Sequence, residues 1–83
     1  MAASPELFRS STFAIVEGGE TLGMAYFSVE RSSCGTGFDV VQCDLDAAGK
    51  VWNATPTFHY DDFQVACGRA SREAAQHSVF VSH

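Results

Sequence analysis

The sequence predicts an α+β fold: an antiparallel sheet of four to five strands in the order ββββαβ, with one amphipathic helix packed on one face. Three observations predict it. Apolar side chains alternate at a period of two in separate stretches up to about residue 60. Turn-forming residues, chiefly Gly, Ser, Asp and Pro, punctuate those stretches. From Phe63 the apolar period switches to that of a helix.

The first strand is expected at 12–17, where Phe13 and Ile15 share a face. Gly18 and Gly19 follow at once and form a turn, because glycine accepts positive φ. The chain resumes as a second strand at 21–30. Leu22, Met24 and Tyr26 lie on one of its faces, and Ala25, Phe27 and Val29 on the other. Both faces are partly apolar, so this strand is expected to be central. Residues 31–37, RSSCGTG, read as a loop of small polar residues.

The third strand is expected at 38–44, with Phe38 and Val40 opposite Val41 and Cys43. A turn at 46–50 closes a hairpin onto 51–54. Thr55 and Pro56 interrupt that fourth strand, since proline cannot donate to a ladder and favours an edge or a bulge, and 57–60 is a candidate continuation. Asp61 or Asp62 is the expected N-cap of the helix. At 100° per residue, Phe63, Ala66, Cys67, Ala70 and Ala74 form one narrow face over about four turns. A buried side made of such small residues lies close against a sheet. Residues 78–82, with Val79 and Val81 alternating, read as a short terminal strand.

Eighty-three residues suffice for one hydrophobic core, so residues 1–83 are expected to be a single domain with a loosely ordered segment at 1–10. Ten acids against five bases give a net charge of −5, and Lys50, Arg9, Arg31, Arg69 and Arg72 are scattered. Without a basic stripe to displace counterions, no direct nucleic-acid contact is expected. An acidic balance steers a protein towards basic surfaces instead. The start of the chain lacks the basic and apolar regions of a signal peptide, and no apolar run approaches the ~20 residues of a membrane span. The expected location is cytoplasmic, and the odd count of three widely spaced cysteines fits a reducing compartment.

The residues that could carry chemistry do not assemble into a motif. Cys34, Cys43, Cys67, His59, His77 and His83 lack the close pairs of a zinc site. Cys67 on the apolar helix face acts as a small hydrophobe, while Cys34 in its Gly/Ser loop is the more exposed thiol. Asp61–Asp62 read as capping, and Asp44 and Asp46 as turn chemistry. No cofactor and no catalytic residue is assigned.

The function expected is that of a small non-enzymatic binding module that blocks a surface of a larger host protein or complex. Tiny, acidic, lysine-poor α+β domains of this character are shared by many phage-encoded inhibitors, anti-CRISPR proteins among them; that likeness is one of composition. The candidate interface combines Tyr26 and Trp52 as aromatic anchors with Asp44, Asp46, Arg69 and Arg72 around them. A homodimer through a sheet edge or an uncovered face is a further possibility. The alternative is a small metal- or ligand-binding regulatory domain using Cys and His side chains.

Overall fold

The structure, a computed structural model, describes residues 5–81, with side chains as far as residue 77. Five strands precede one helix: β1 (Glu6–Arg9), β2 (Phe13–Glu17), β3 (Glu20–Arg31), β4 (Phe38–Leu45), β5 (Val51–Tyr60) and α1 (Phe63–Val81). Every strand pairing is antiparallel. β3 is central, as its two apolar faces imply. β4 pairs along one side of it, while β2 and β1 share the other side, β2 on its first half and β1 on its second. β5 pairs with β4 and forms the far edge.

β1 corrects the expectation of a loose segment at 1–10; residues 1–4 lie outside the described residues. Four residues are too few for periodicity to register, but tertiary contact fixes them: Phe8 pairs with Val29 and packs on the core. The chain passes from β1 to β2 without leaving the edge of β3, because Ser10 supplies the ladder there. Its N–H donates to the Phe27 carbonyl at 2.8 Å, and its Oγ accepts the Phe27 N–H at 2.8 Å.

The β2–β3 turn is made by Gly18 at φ 59° and Gly19 at φ 83°. Two consecutive positive φ angles match the right-handed twist of the strands they join. β5 runs unbroken through Pro56, contrary to the expected interruption. Proline is tolerated because β5 is an edge strand and because the register shifts beside it, between the Val40–Phe58 and Val41–Pro56 pairs. A second shift separates Asp44–Asn53 from Leu45–Val51.

Asp62 is the N-cap: its Oδ1 accepts the Val65 N–H at 3.1 Å, and its carbonyl takes the first helical bond from Ala66 at 3.1 Å. The expected terminal strand at 78–82 is overturned, since the backbone remains helical through Val81; Ser82 lies outside the described residues. Neither Gly nor Pro occurs after Gly68, so each further helical residue adds a hydrogen bond without a stop signal. The helix therefore extends to about five turns.

α1 crosses the face bearing Ala25, Phe27 and Val29. Those residues, with Phe13, Val40, Ala66, Ala70 and Ala74, form the main core, and the three helix alanines are fully buried. Phe13 stacks on Phe27 at a centroid distance of 5.2 Å and on His77 at 4.3 Å; at the other end of the helix Phe63 meets Phe38 at 5.3 Å. Each fully buried Phe or Val stabilises the fold by about 1.5–3 kcal/mol. On the opposite face Tyr26, Val41 and Cys43 make a smaller buried cluster with Leu45 against it. Among the described residues, no helix is long and apolar enough to cross a membrane.

Candidate functional site

The strand registers give the sheet two distinct ends. The turns β2–β3 and β4–β5 lie together at one end, because Met24 pairs with Leu45 and Leu45 with Val51. The 31–37 loop and the start of α1 lie at the other, where Arg31 pairs with Phe38 and Phe38 with Tyr60.

At the hairpin end the sheet's two faces differ in chemistry. On the helix side, beyond the core, Gln42, Asp44, Asn53 and Thr55 form a polar ladder. Asp44 accepts from Gln42 Nε2 at 2.8 Å and from Asn53 Nδ2 at 2.9 Å, and Asn53 Nδ2 also reaches Thr55 Oγ1 at 3.4 Å. A self-satisfied ladder of this kind tolerates water without a covering layer. On the opposite face the row Met24–Leu45–Val51 crosses three strands and stays apolar.

That row continues into exposed apolar side chains that include Trp52 and Leu22, the two most exposed large hydrophobic residues among the described residues. Trp52 is 67 % exposed, Leu22 61 %, Val51 46 % and Met24 41 %. At the same end of the sheet stand the exposed acids Glu17, Glu20 and Asp46 and one base, Lys50. An apolar centre with charged groups near it has the anatomy of a contact surface. Trp is also the residue type that most often dominates binding energy.

The six residues singled out from the sequence do not converge. Trp52 and Asp46 lie at the hairpin end, and Asp44 lies there too but on the helix-side face of the sheet. Asp46 holds its turn, its Oδ1 accepting the amides of Ala48 and Lys50, each at 2.9 Å. Tyr26 shares the face of Met24 but is only 6 % exposed, with the Arg9 guanidinium 4.2 Å from its ring centroid, so it is no surface anchor. Burial pushes its hydroxyl pKa upwards.

Arg69 is also not a rim residue. It lies 3.8 Å over the Phe58 ring, donates from Nη1 to Tyr60 Oη at 3.2 Å and from Nε to Glu73 at 3.0 Å, and so ties α1 to the opposite end of β5. Arg72 is exposed on the helix. Leu22, Met24 and Val51 belong to the site although the sequence reading did not select them. Alternation alone cannot show where a covering helix stops.

The opposite end carries a second polar cluster. Asp39 and His59 face each other across β4 and β5, with Asp39 Oδ1 2.8 Å from Nδ1 and Asp61 Oδ1 3.8 Å from Nε2. The Asp39 hydrogen bond raises the His59 pKa. The imidazole lies against Gly37: a Cβ there would come within 2.7 Å of Nε2 and 2.8 Å of the Tyr60 carbonyl. Three residues earlier in the same loop, the exposed Cys34 Sγ sits 3.1 Å from Ser32 Oγ and 3.7 Å from Thr36 Oγ1.

The cysteines occupy three environments: Cys34 is exposed, Cys43 buried on the face away from the helix and Cys67 half-buried on α1. Among the described residues, no three His, Cys, Asp or Glu side chains are placed to share a metal ion. His83 lies outside the described residues. No protein-family model, curated protein or solved structure matches this chain.

Proposed function

We propose that the protein is a non-enzymatic binding module that docks the hairpin end of its sheet onto a larger protein. The supporting observation is the exposed apolar surface of Trp52, Val51, Leu22 and Met24, continuous through Leu45, with the exposed Glu17, Glu20 and Asp46 at the same end of the sheet. The complementary partner surface is an apolar groove flanked by Lys and Arg. Trp52 is its anchor, and truncating an anchor of this kind costs about 2–4 kcal/mol of binding. The acids contribute mainly to association rate and choice of partner, so the complex weakens as salt rises.

The test compares wild type, the double variant Leu22→Ser/Trp52→Ser, and the control Arg72→Ser in capturing a partner at low and high salt. Retention by wild type and control, with loss in the folded double variant, supports the reading. A partner that the double variant holds equally well overturns it. So does sedimentation showing that the apolar end is covered by a second copy of the chain.

A further inference from the structure

We infer that the sheet face away from the helix binds an arginine side chain of a partner polypeptide, on a row of carboxylates from Glu6, Glu30 and Asp39 floored by the Ser28 hydroxyl. Glu30 lies roughly 20 Å along β3 from Met24, so this site is separate from the apolar hairpin end and does not depend on it.

The strand pairings build the row. Glu6 of β1 stands opposite Glu30 of β3, Glu30 opposite Asp39 of β4, and Asp39 opposite His59 of β5. Tyr26, Ser28 and Glu30 alternate with the core residues Ala25, Phe27 and Val29, so all three rise from the open face. Like charges directly opposed across strands cost stability, and here three carboxylates stand side by side. The outer two have partners: Arg9 Nε donates to Glu6 at 3.0 Å, and His59 Nδ1 lies 2.8 Å from Asp39. The Glu30 carboxylate, between them, has no hydrogen bond or ion pair among the described residues. It is half-buried, and burial, followed by Asp39 and Glu6, raises its pKa.

An orphaned hydroxyl marks the same place. Ser28 is 1 % exposed, and its Oγ is the one buried side-chain polar atom among the described residues without a hydrogen-bond partner. Buried polar atoms are ordinarily paired, so an acceptor left open beside an unpaired carboxylate points to a donor from outside. Arg9 stands opposite Ser28, and its guanidinium reaches both the Glu6 carboxylate and the Tyr26 ring, 4.2 Å from the centroid. The Arg9 side chain therefore passes over Ser28. With 55 % of that side chain exposed, it can turn aside for a ligand. The face thus already holds one guanidinium, by a carboxylate and an aromatic ring.

The spacing selects the chemistry of the occupant. Neighbouring strands lie roughly 4.8 Å apart, and no three acidic or imidazole groups among the described residues can share a metal ion. A guanidinium suits such a row, because its five N–H donors form a planar fork and its charge is permanent. Seated over Ser28, it donates to the Glu30 carboxylate and to the Ser28 Oγ, with Asp39 alongside. A lysine ammonium is a compact point charge without that fork. Among the described residues there is no cavity to enclose a free small molecule, so the arginine arrives on a larger chain.

The experiment titrates the full chain with N-acetyl-arginine amide at about pH 8, where carboxylates are ionised, and reads backbone amide shifts by nuclear magnetic resonance. N-acetyl-lysine amide and the uncharged isostere N-acetyl-citrulline amide run beside it. The expected result is saturable shifts at Ser28, Glu30 and Asp39 with the arginine probe, weaker binding of the lysine probe and none of citrulline. Glu30→Gln and Ser28→Ala should each weaken the arginine probe about five-fold. Ser28→Ala removes an unpaired hydroxyl, so its urea midpoint should not fall, which separates a ligand role from a structural one. Arg9→Ser uncovers Ser28 and should tighten binding, whereas Arg72→Ser should leave it unchanged. Absence of saturable shifts at these residues, or equal binding of the arginine probe and either comparison probe, would overturn the inference. So would wild-type affinity in both Glu30→Gln and Ser28→Ala, or weaker binding by Arg9→Ser.

Discussion

Ser10 and Phe27 exchange two hydrogen bonds, each of 2.8 Å, one through the Ser10 backbone and one through its hydroxyl. The Ser10 side chain thus stands in for a backbone carbonyl where the edge strand breaks between β1 and β2. Ser10 is 7 % exposed and Phe27 2 %. The Phe27 amide therefore has no access to a replacement water. Ser10→Ala should leave that amide unsatisfied and destabilise the fold by about 1–3 kcal/mol, whereas Ser10→Thr retains the acceptor. Urea unfolding midpoints measure both, and an Ala variant as stable as wild type would remove the hydroxyl from the ladder.

The contact between α1 and the sheet rests on Ala66, Ala70 and Ala74, all at 0 % exposure. Ala70→Leu has no room without shifting the helix and should cost about 1–3 kcal/mol by overpacking. Gly68 lies in the same helix, but a Cβ there meets nothing within 4 Å. Gly68→Ala should therefore stabilise the protein, by up to about 1 kcal/mol. Opposite signs for the two variants in thermal unfolding are the expected outcome, and equal signs would contradict the packing described.

Gly37 combines φ 76° with the close approach of His59 and of the Tyr60 carbonyl. An added methyl group meets backbone there as well as a side chain, so the neighbour cannot simply swing away. Gly37→Ala should destabilise by about 1–3 kcal/mol through backbone strain, and should displace the His59 imidazole. Nuclear magnetic resonance shifts of the His59 ring report the displacement, while the unfolding midpoint reports the strain.

The Asp39–His59 pair gives stability a defined pH dependence. The folded-state pKa of His59 is raised, first by the Asp39 hydrogen bond. The contribution of the pair is therefore fully present below the ordinary value of 6.5 and is lost as pH rises through the raised value. Asp39→Asn should be less stable than wild type at about pH 5.5, and the difference should shrink as pH rises through the raised His59 value. A difference that stayed constant across this range would assign the effect of Asp39 to something other than the imidazole charge.

Much of this fold is legible in local pattern. The alternation over Ala25, Phe27 and Val29 places the central strand and its buried face, Gly18–Gly19 mark a turn, and the spacing of Ala66, Ala70 and Ala74 marks the helix side that meets the sheet. The candidate site is less legible, and the Asp39–His59 pair shows why. Counting outward from Leu45 and Val51 in an unbroken hairpin would set Asp39 opposite Thr57. The two register shifts in the β4–β5 pairing each add a residue to β5 and bring His59 there instead.

The sequence by itself determined the α+β class, the order of β2 to β5 and α1, the helix start near Asp62 and the small-residue helix face, because each rests on spacing or turn chemistry within a few residues. Tertiary structure alone decided that Glu6–Arg9 would join the sheet and that residues 78–81 would stay helical. It also decided that Tyr26 would be buried while Trp52 stayed exposed. Those outcomes depend on which strand edges are open and how far the helix reaches across the sheet. Both are set by contacts between segments distant in the chain, and local periodicity carries no record of them.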